Sequence, residues 1–175
     1  MPTRSLRILT VVPALVVASM ITSGCNRTLR VGTSDDLVVN SIKVQPFTRV
    51  DSFGDSEAPE GFGVWVQALD GFGDPVKMVG SVNFTLYSRR KASADPKGEQ
   101  LVFWQRAIHT RSDQLDFWDR PSQMYHFELA WDTVPAAGDK YILSVMLNTP
   151  DDRHLSDEYE IDVSIPGLKE QLTGP

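Results

Sequence analysis

The chain is poor in the residues that most often carry chemistry. It has one cysteine, Cys25, and three histidines, His109, His126 and His154. A lone cysteine excludes an internal disulfide, so the fold has no such staple to add to its apolar core. The histidines lie on separate segments without i, i+2 or i, i+4 partners, and no cysteine remains to join them, which argues against zinc. No G-x-S-x-G elbow, P-loop or H-E-x-x-H occurs, so the chain reads as a non-enzyme without a cofactor. Its longest apolar run, Ile8 to Ile21, falls short of the roughly 20 residues a spanning helix needs and is interrupted by Pro13. Basic charge is scarce too. Beyond residue 24 there are 15 Lys and Arg against 23 Asp and Glu, a net charge of −8, which leaves no electrostatic footprint for nucleic acid.

The first residues do have a recognisable layout. Arg4 and Arg7 precede the apolar run without any acid, and small polar residues follow it, the arrangement of a secretory signal peptide. Thr22, Ser23, Gly24 and Cys25 resemble the lipobox of bacterial lipoproteins, with Thr22 where that family usually has Leu. The resemblance implies cleavage before Cys25, multiple acylation of that cysteine as the new N-terminus, and attachment to a lipid bilayer. Asn26 stands where an Asp would mark inner-membrane retention, which leans toward the outer membrane. An acylated cysteine also removes the liability of an unpaired thiol in an oxidising compartment. Residues 1–24 are thus assigned to the signal segment and 25–36 to the acylated cysteine and a polar tether, which as a flexible coil spans roughly 20 Å.

From Leu37 onward the dominant signal is period-2 alternation, with no helical period of useful length. Strands are expected over Leu37–Val44, Gly63–Leu69, Ser81–Ser88, Leu101–His109, Tyr125–Trp131, from Tyr141, and from Glu158, with Val64, Val66 and Ala68, Val82, Phe84 and Leu86, and Tyr125, Phe127 and Leu129 facing inward. In "LVFWQRAIH" the pattern is less clean, because Arg106 shares a face with Val102, Trp104 and Ile108. Apolar-in, polar-out alternation belongs to antiparallel sheets wet on one face. The expected fold is all-β: a single antiparallel immunoglobulin-like β-sandwich of about seven strands over residues 37–166, with generous loops and a disordered tail at 167–175. "VQALDGFGDPVKMVGSVNFTL" resembles the strand, turn, strand signature of bacterial Ig-like domains, and "AAGDKYILSVML" their late strand. Asp70 is suited to bond the turn backbone, Gly71 and Gly73 to supply positive φ, and Pro75 to fix its own.

Charge is unevenly distributed. Lys77 to Arg111 holds seven bases and two acids, whereas Asp132 to Glu170 holds nine acids and three bases. These are solvated faces, or else surfaces for a polar partner or head-to-tail self-association. Asp70 with Asp74, and Asp151 with Asp152, are candidate calcium ligands if loops converge, although Asp before Gly or Pro is first a turn former. Phe117 and Trp118 stand in a polar loop beside Arg120, either as a plug over the open end of the core or as an anchor for a partner or sugar. The plug fits Phe117 better, and partial exposure fits Trp118, whose indole N–H needs a partner or water.

The resulting expectation is a membrane-anchored envelope lipoprotein acting as a non-catalytic binding or structural module, with an envelope protein or a glycan as partner. Two alternatives stay open: a carbohydrate- or small-ligand-binding module using Phe117, Trp118 and Arg120, and an accessory subunit of an envelope export or assembly complex using a strand edge or a charged face.

Overall fold

A computed structural model describes residues 37–54, 59–92, 94–133 and 138–163. Cys25, the tether and the tail lie outside the described residues. In chain order the elements are β1 (Ser41–Val44), β2 (Arg49–Asp51), β3 (Gly61–Leu69), β4 (Gly80–Arg89), β5 (Lys97–Ile108), α1 (Arg111–Phe117), β6 (Trp118–Asp119), β7 (Met124–Ala130), β8 (Lys140–Asn148) and β9 (His154–Asp162). One sheet runs β1-β3-β7-β6 with β2 also on β3, and the other runs β5-β4-β8-β9. Every pairing is antiparallel. If β1 and β2 are taken as a split first strand, the orders A-B-E-D and C′-C-F-G are those of an immunoglobulin-type sandwich.

The alternation fills one core. Val64, Val66 and Ala68 of β3, Val82, Phe84 and Leu86 of β4, Tyr125, Phe127 and Leu129 of β7, and Leu143, Val145 and Leu147 of β8 are all fully buried between the sheets. Ile142 is also buried although it faces outward, because Tyr87 and Glu160 flank it in the register. The turn after β3 forms as its residues dictate. Asp70 Oδ1 accepts the N–H groups of Phe72 (2.8 Å) and Asp74 (3.0 Å), and Gly73 takes φ +87°, whereas Gly71, also expected at positive φ, does not, because one left-handed residue closes a turn in which Gly73 N–H bonds the Asp70 carbonyl. Gly80 opens β4 at φ +143°, where a Cβ would lie 2.1 Å from the carbonyl oxygen of Asn148, so no larger residue fits.

Both open sides of the sandwich are closed by side chains. On one side Trp104 Nε1 donates to the carbonyl of Ala130 (2.7 Å) and Arg106 Nη2 to that of Glu128 (3.2 Å), which covers the free edge of β7. This explains the mixed pattern of β5: its inward face meets the rim of the opposite sheet, where a backbone acceptor awaits each polar head. On the other side Val44 N–H donates to Asp157 Oδ2 (2.7 Å), Tyr159 Oη to the Pro46 carbonyl (2.9 Å) and Arg153 Nη1 to the Val39 carbonyl (2.7 Å). These bonds occupy backbone groups beside β1 and along β7, whereas β5 and β9 end their sheet with their outer edges unpaired among the described residues.

Two features depart from the expectation. Residues 111–117, expected as loop, form a helix of two turns. Thr110 caps it: its hydroxyl accepts Asp113 N–H (3.2 Å), and Asp113 Oδ2 accepts Thr110 N–H (2.8 Å), a reciprocal capping box. Seven residues are too few for a helical period to register. Second, two bases of the basic stretch pair with acids of the acidic stretch across one sheet, and Lys140 pairs within the acidic stretch itself. Arg89 meets Glu160 at 2.7 Å, Lys97 meets Glu158, and Lys140 meets Asp162 at 2.8 Å. These partners hold Lys97 and Lys140 above the ordinary lysine value and Glu160 below the ordinary glutamate value. Such exposed pairs are screened by solvent and add little to stability.

Candidate functional site

The loop between β5 and β7 is held by a buried polar node. Tyr125 is fully buried, yet its hydroxyl accepts Met78 N–H (2.9 Å) and donates to Gln114 Oε1 (2.7 Å), while Gln114 Nε2 donates to the Met78 carbonyl (2.7 Å). Burial is the main reason its phenol sits above the ordinary tyrosine value. Phe117 lies against Phe127 (5.1 Å between ring centroids) and Trp118 against Tyr125 (4.9 Å), both half-buried on the core, with Lys77 Nζ 5.3 Å from the Trp118 ring. The two rings therefore occupy similar positions as plugs. Arg120 is exposed in the turn after β6.

The four aspartates lie in two separate turns at this same end of the sandwich. Asp70 spends its carboxylate on the turn backbone. Asp151 pairs with the Arg153 guanidinium, and the Thr149 hydroxyl and that guanidinium hold its carboxyl below the usual range. Asp152 adopts φ +62° in the β8–β9 turn. Among the described residues, no three His, Cys, Asp or Glu side chains converge to hold a metal ion.

At the opposite end lies a cleft of about 860 Å³ that sequence reasoning did not single out. Trp131 and Tyr141 form its aromatic floor, in T-shaped contact at 5.7 Å, and Trp131 stacks on the core ring of Phe62 at 5.8 Å. Lys91, Arg89, Lys140 and Ser88 stand around them. Arg89 and Lys140 are already paired, whereas Lys91 has no ion-pair partner among the described residues. Tyr141 Oη donates to Asp139 Oδ2 (2.9 Å), and burial together with that carboxylate pushes its phenol up to about 12. Tyr141 opens β8, the strand that carries the tyrosine corner of immunoglobulin folds. The volume lies within the range of ligand pockets, and an aromatic floor with a cationic and hydroxyl rim suits a sugar or a small anion. Ser88 Oγ accepts Glu99 N–H (2.9 Å).

A further cluster that the alternation left unremarked lies on the outer face of the first sheet. Trp65 stacks on His126 at 4.3 Å, with the half-exposed Phe47 edge-on at 5.5 Å. His126 Nε2 is buried there without a hydrogen-bond partner among the described residues. Alternation placed Trp65 and His126 outward, but only the register sets them side by side.

No protein-family model, curated protein or solved structure matches this chain.

Proposed function

We propose that this chain is an exported lipoprotein, acylated at Cys25 and anchored in an envelope membrane, the outer more than the inner, where its sandwich acts as a non-catalytic binding or structural module. The observation that carries the reading is the run Thr22-Ser23-Gly24-Cys25 directly after a short apolar segment, with the only thiol of the chain at its end. The sandwich supports it as a scaffold that presents loops and faces, a role such folds fill without catalysis. Cys25→Ser should abolish acylation and leave the protein uncleaved or released to the soluble fraction, read by membrane fractionation and mass spectrometry. Wild-type protein carrying no lipid at Cys25 would sink the reading.

A second reading, a carbohydrate- or small-ligand-binding module, is favoured by Trp131 and Tyr141 in the end cleft, whose volume of about 860 Å³ exceeds the roughly 260 Å³ of the hollow beside Phe117. A glycan array beside crosslinked envelope pull-downs separates the two. Protein partners without glycan signal favour the structural or accessory role.

A further inference from the structure

Nine large apolar side chains are exposed among the described residues, and they are unevenly placed. Five of them, Leu37, Val38, Phe72, Val79 and Leu115, belong to the segments at one end of the sandwich, with Leu37 63 % and Phe72 59 % exposed. The register defines that end: Ser41 pairs with Leu69, Gly80 with Ile108 and Ser81 with Asn148, so the starts of β1 and β4 lie level with the ends of β3, β5 and β8. Leu37, Val38 and Val79 share a groove of about 370 Å³ with Lys77 and Pro150. The other four, Phe47, Leu101, Phe103 and Met146, lie on or beside strands, Leu101 at the rim of the opposite-end cleft, and among the described residues the opposite-end loops add none. A concentration of apolar groups on one end of a small domain marks a surface that meets something.

The chain enters the sandwich at this end. Leu37 follows Cys25 by twelve positions. Even fully extended, twelve residues span no more than about 40 Å, so the apolar end is tied near whatever holds Cys25. We infer that this end is a seat on the lipid bilayer, with Leu37, Phe72, Val79 and Leu115 reaching among the headgroups and the Lys77 stem lying alongside. The inference rests on the anchored reading above. Charge narrows the occupant. The end carries Asp70, Asp74, Asp113, Asp116, Asp119, Asp151 and Asp152 against Lys77, Arg111, Arg120 and Arg153, an excess of three negative charges. That excess disfavours anionic headgroups and also a second copy of the same end, which leaves a zwitterionic surface and an apolar contact.

The test couples the chain from Cys25 onward, through its single thiol, to a maleimide phospholipid in phosphatidylcholine vesicles, so that the seat is examined whether or not cells acylate Cys25. A benzophenone amino acid is placed in turn at Phe72, at Leu115 and, at the opposite end, at Lys91, all three exposed, and adducts are read by mass spectrometry after irradiation. Phospholipid adducts at positions 72 and 115, absent at 91 and reduced when phosphatidylglycerol replaces part of the phosphatidylcholine, are the expected result. Equal lipid adducts at all three positions would overturn the seat. Chain-to-chain adducts at position 72 in place of lipid would overturn it too and give the surface to a second copy. Absence of acyl groups on Cys25 in cells would fail the anchor alone.

Discussion

Replacing Tyr125 by Phe probes the node that ties α1 and the β3–β4 connection to the core. The ring stays: its contacts with Trp118 at 4.9 Å and Phe127 at 6.2 Å are shared by phenylalanine. What disappears is the hydroxyl, and with it the acceptor for Met78 N–H and the donor to Gln114 Oε1. Met78 is fully buried, so its N–H has no water to turn to and is left unsatisfied, at a cost of about 1–3 kcal/mol. Gln114 is half-buried and can turn its amide toward solvent, which adds little. The expected loss is about 2 kcal/mol, or a urea midpoint lowered by about 1 M for a domain whose m-value is near 2 kcal/mol/M. Urea titration followed by tryptophan fluorescence measures it, since Trp118 lies directly on the altered ring. A Gln114→Leu cycle sharpens the test: the Gln114 change should cost on the order of 1 kcal/mol less in the Tyr125→Phe background than in the wild type. A midpoint within about 0.25 M of wild type, or strict additivity of the pair, would refute the node as a joint element.

Phe117→Ala and Trp118→Ala should each cost about 2 kcal/mol, below the full 3–5 of a buried aromatic because both rings are half-exposed; a change within about 0.5 kcal/mol at either position in denaturant melts would show that ring to be unpacked. Chelator should leave the melting temperature unmoved, because Asp70 is engaged by its turn and Asp151 by Arg153, and a rise of many degrees on adding calcium would contradict that, since a native-state ligand must stabilise. Tyr141 ionises near 10 in the unfolded chain and near 12 when folded, so its stabilising effect is complete below pH 10 and lost as pH rises toward 12. Tyr141→Phe should therefore flatten the alkaline fall in stability, and an unchanged profile would remove Tyr141 as its cause.

Much of the architecture is local and so was legible in the sequence. Which face a strand residue takes is set by its own position in a period of two, and Val82, Phe84 and Leu86, or Ile161 and Val163, went inward as that period required. The Asp70 turn is likewise complete within five residues. The helix at 111–117 was legible only in its Thr110 and Asp113 capping pair, because two turns are too short for a period to emerge. Partnership between strands is another matter. That Arg89 and Lys97 meet Glu160 and Glu158, that Trp104 and Arg106 close the edge of β7, and that Trp131 meets Tyr141 at the floor of a cleft follow from β4 lying between β5 and β8 and from β5 meeting the rim of the other sheet. Sequence alone established the alternation, the turns and the one thiol beside a short apolar run. Tertiary structure decided which faces and edges meet, because that choice is the sum of many weak contacts between residues far apart in the chain, and no single window of sequence contains it.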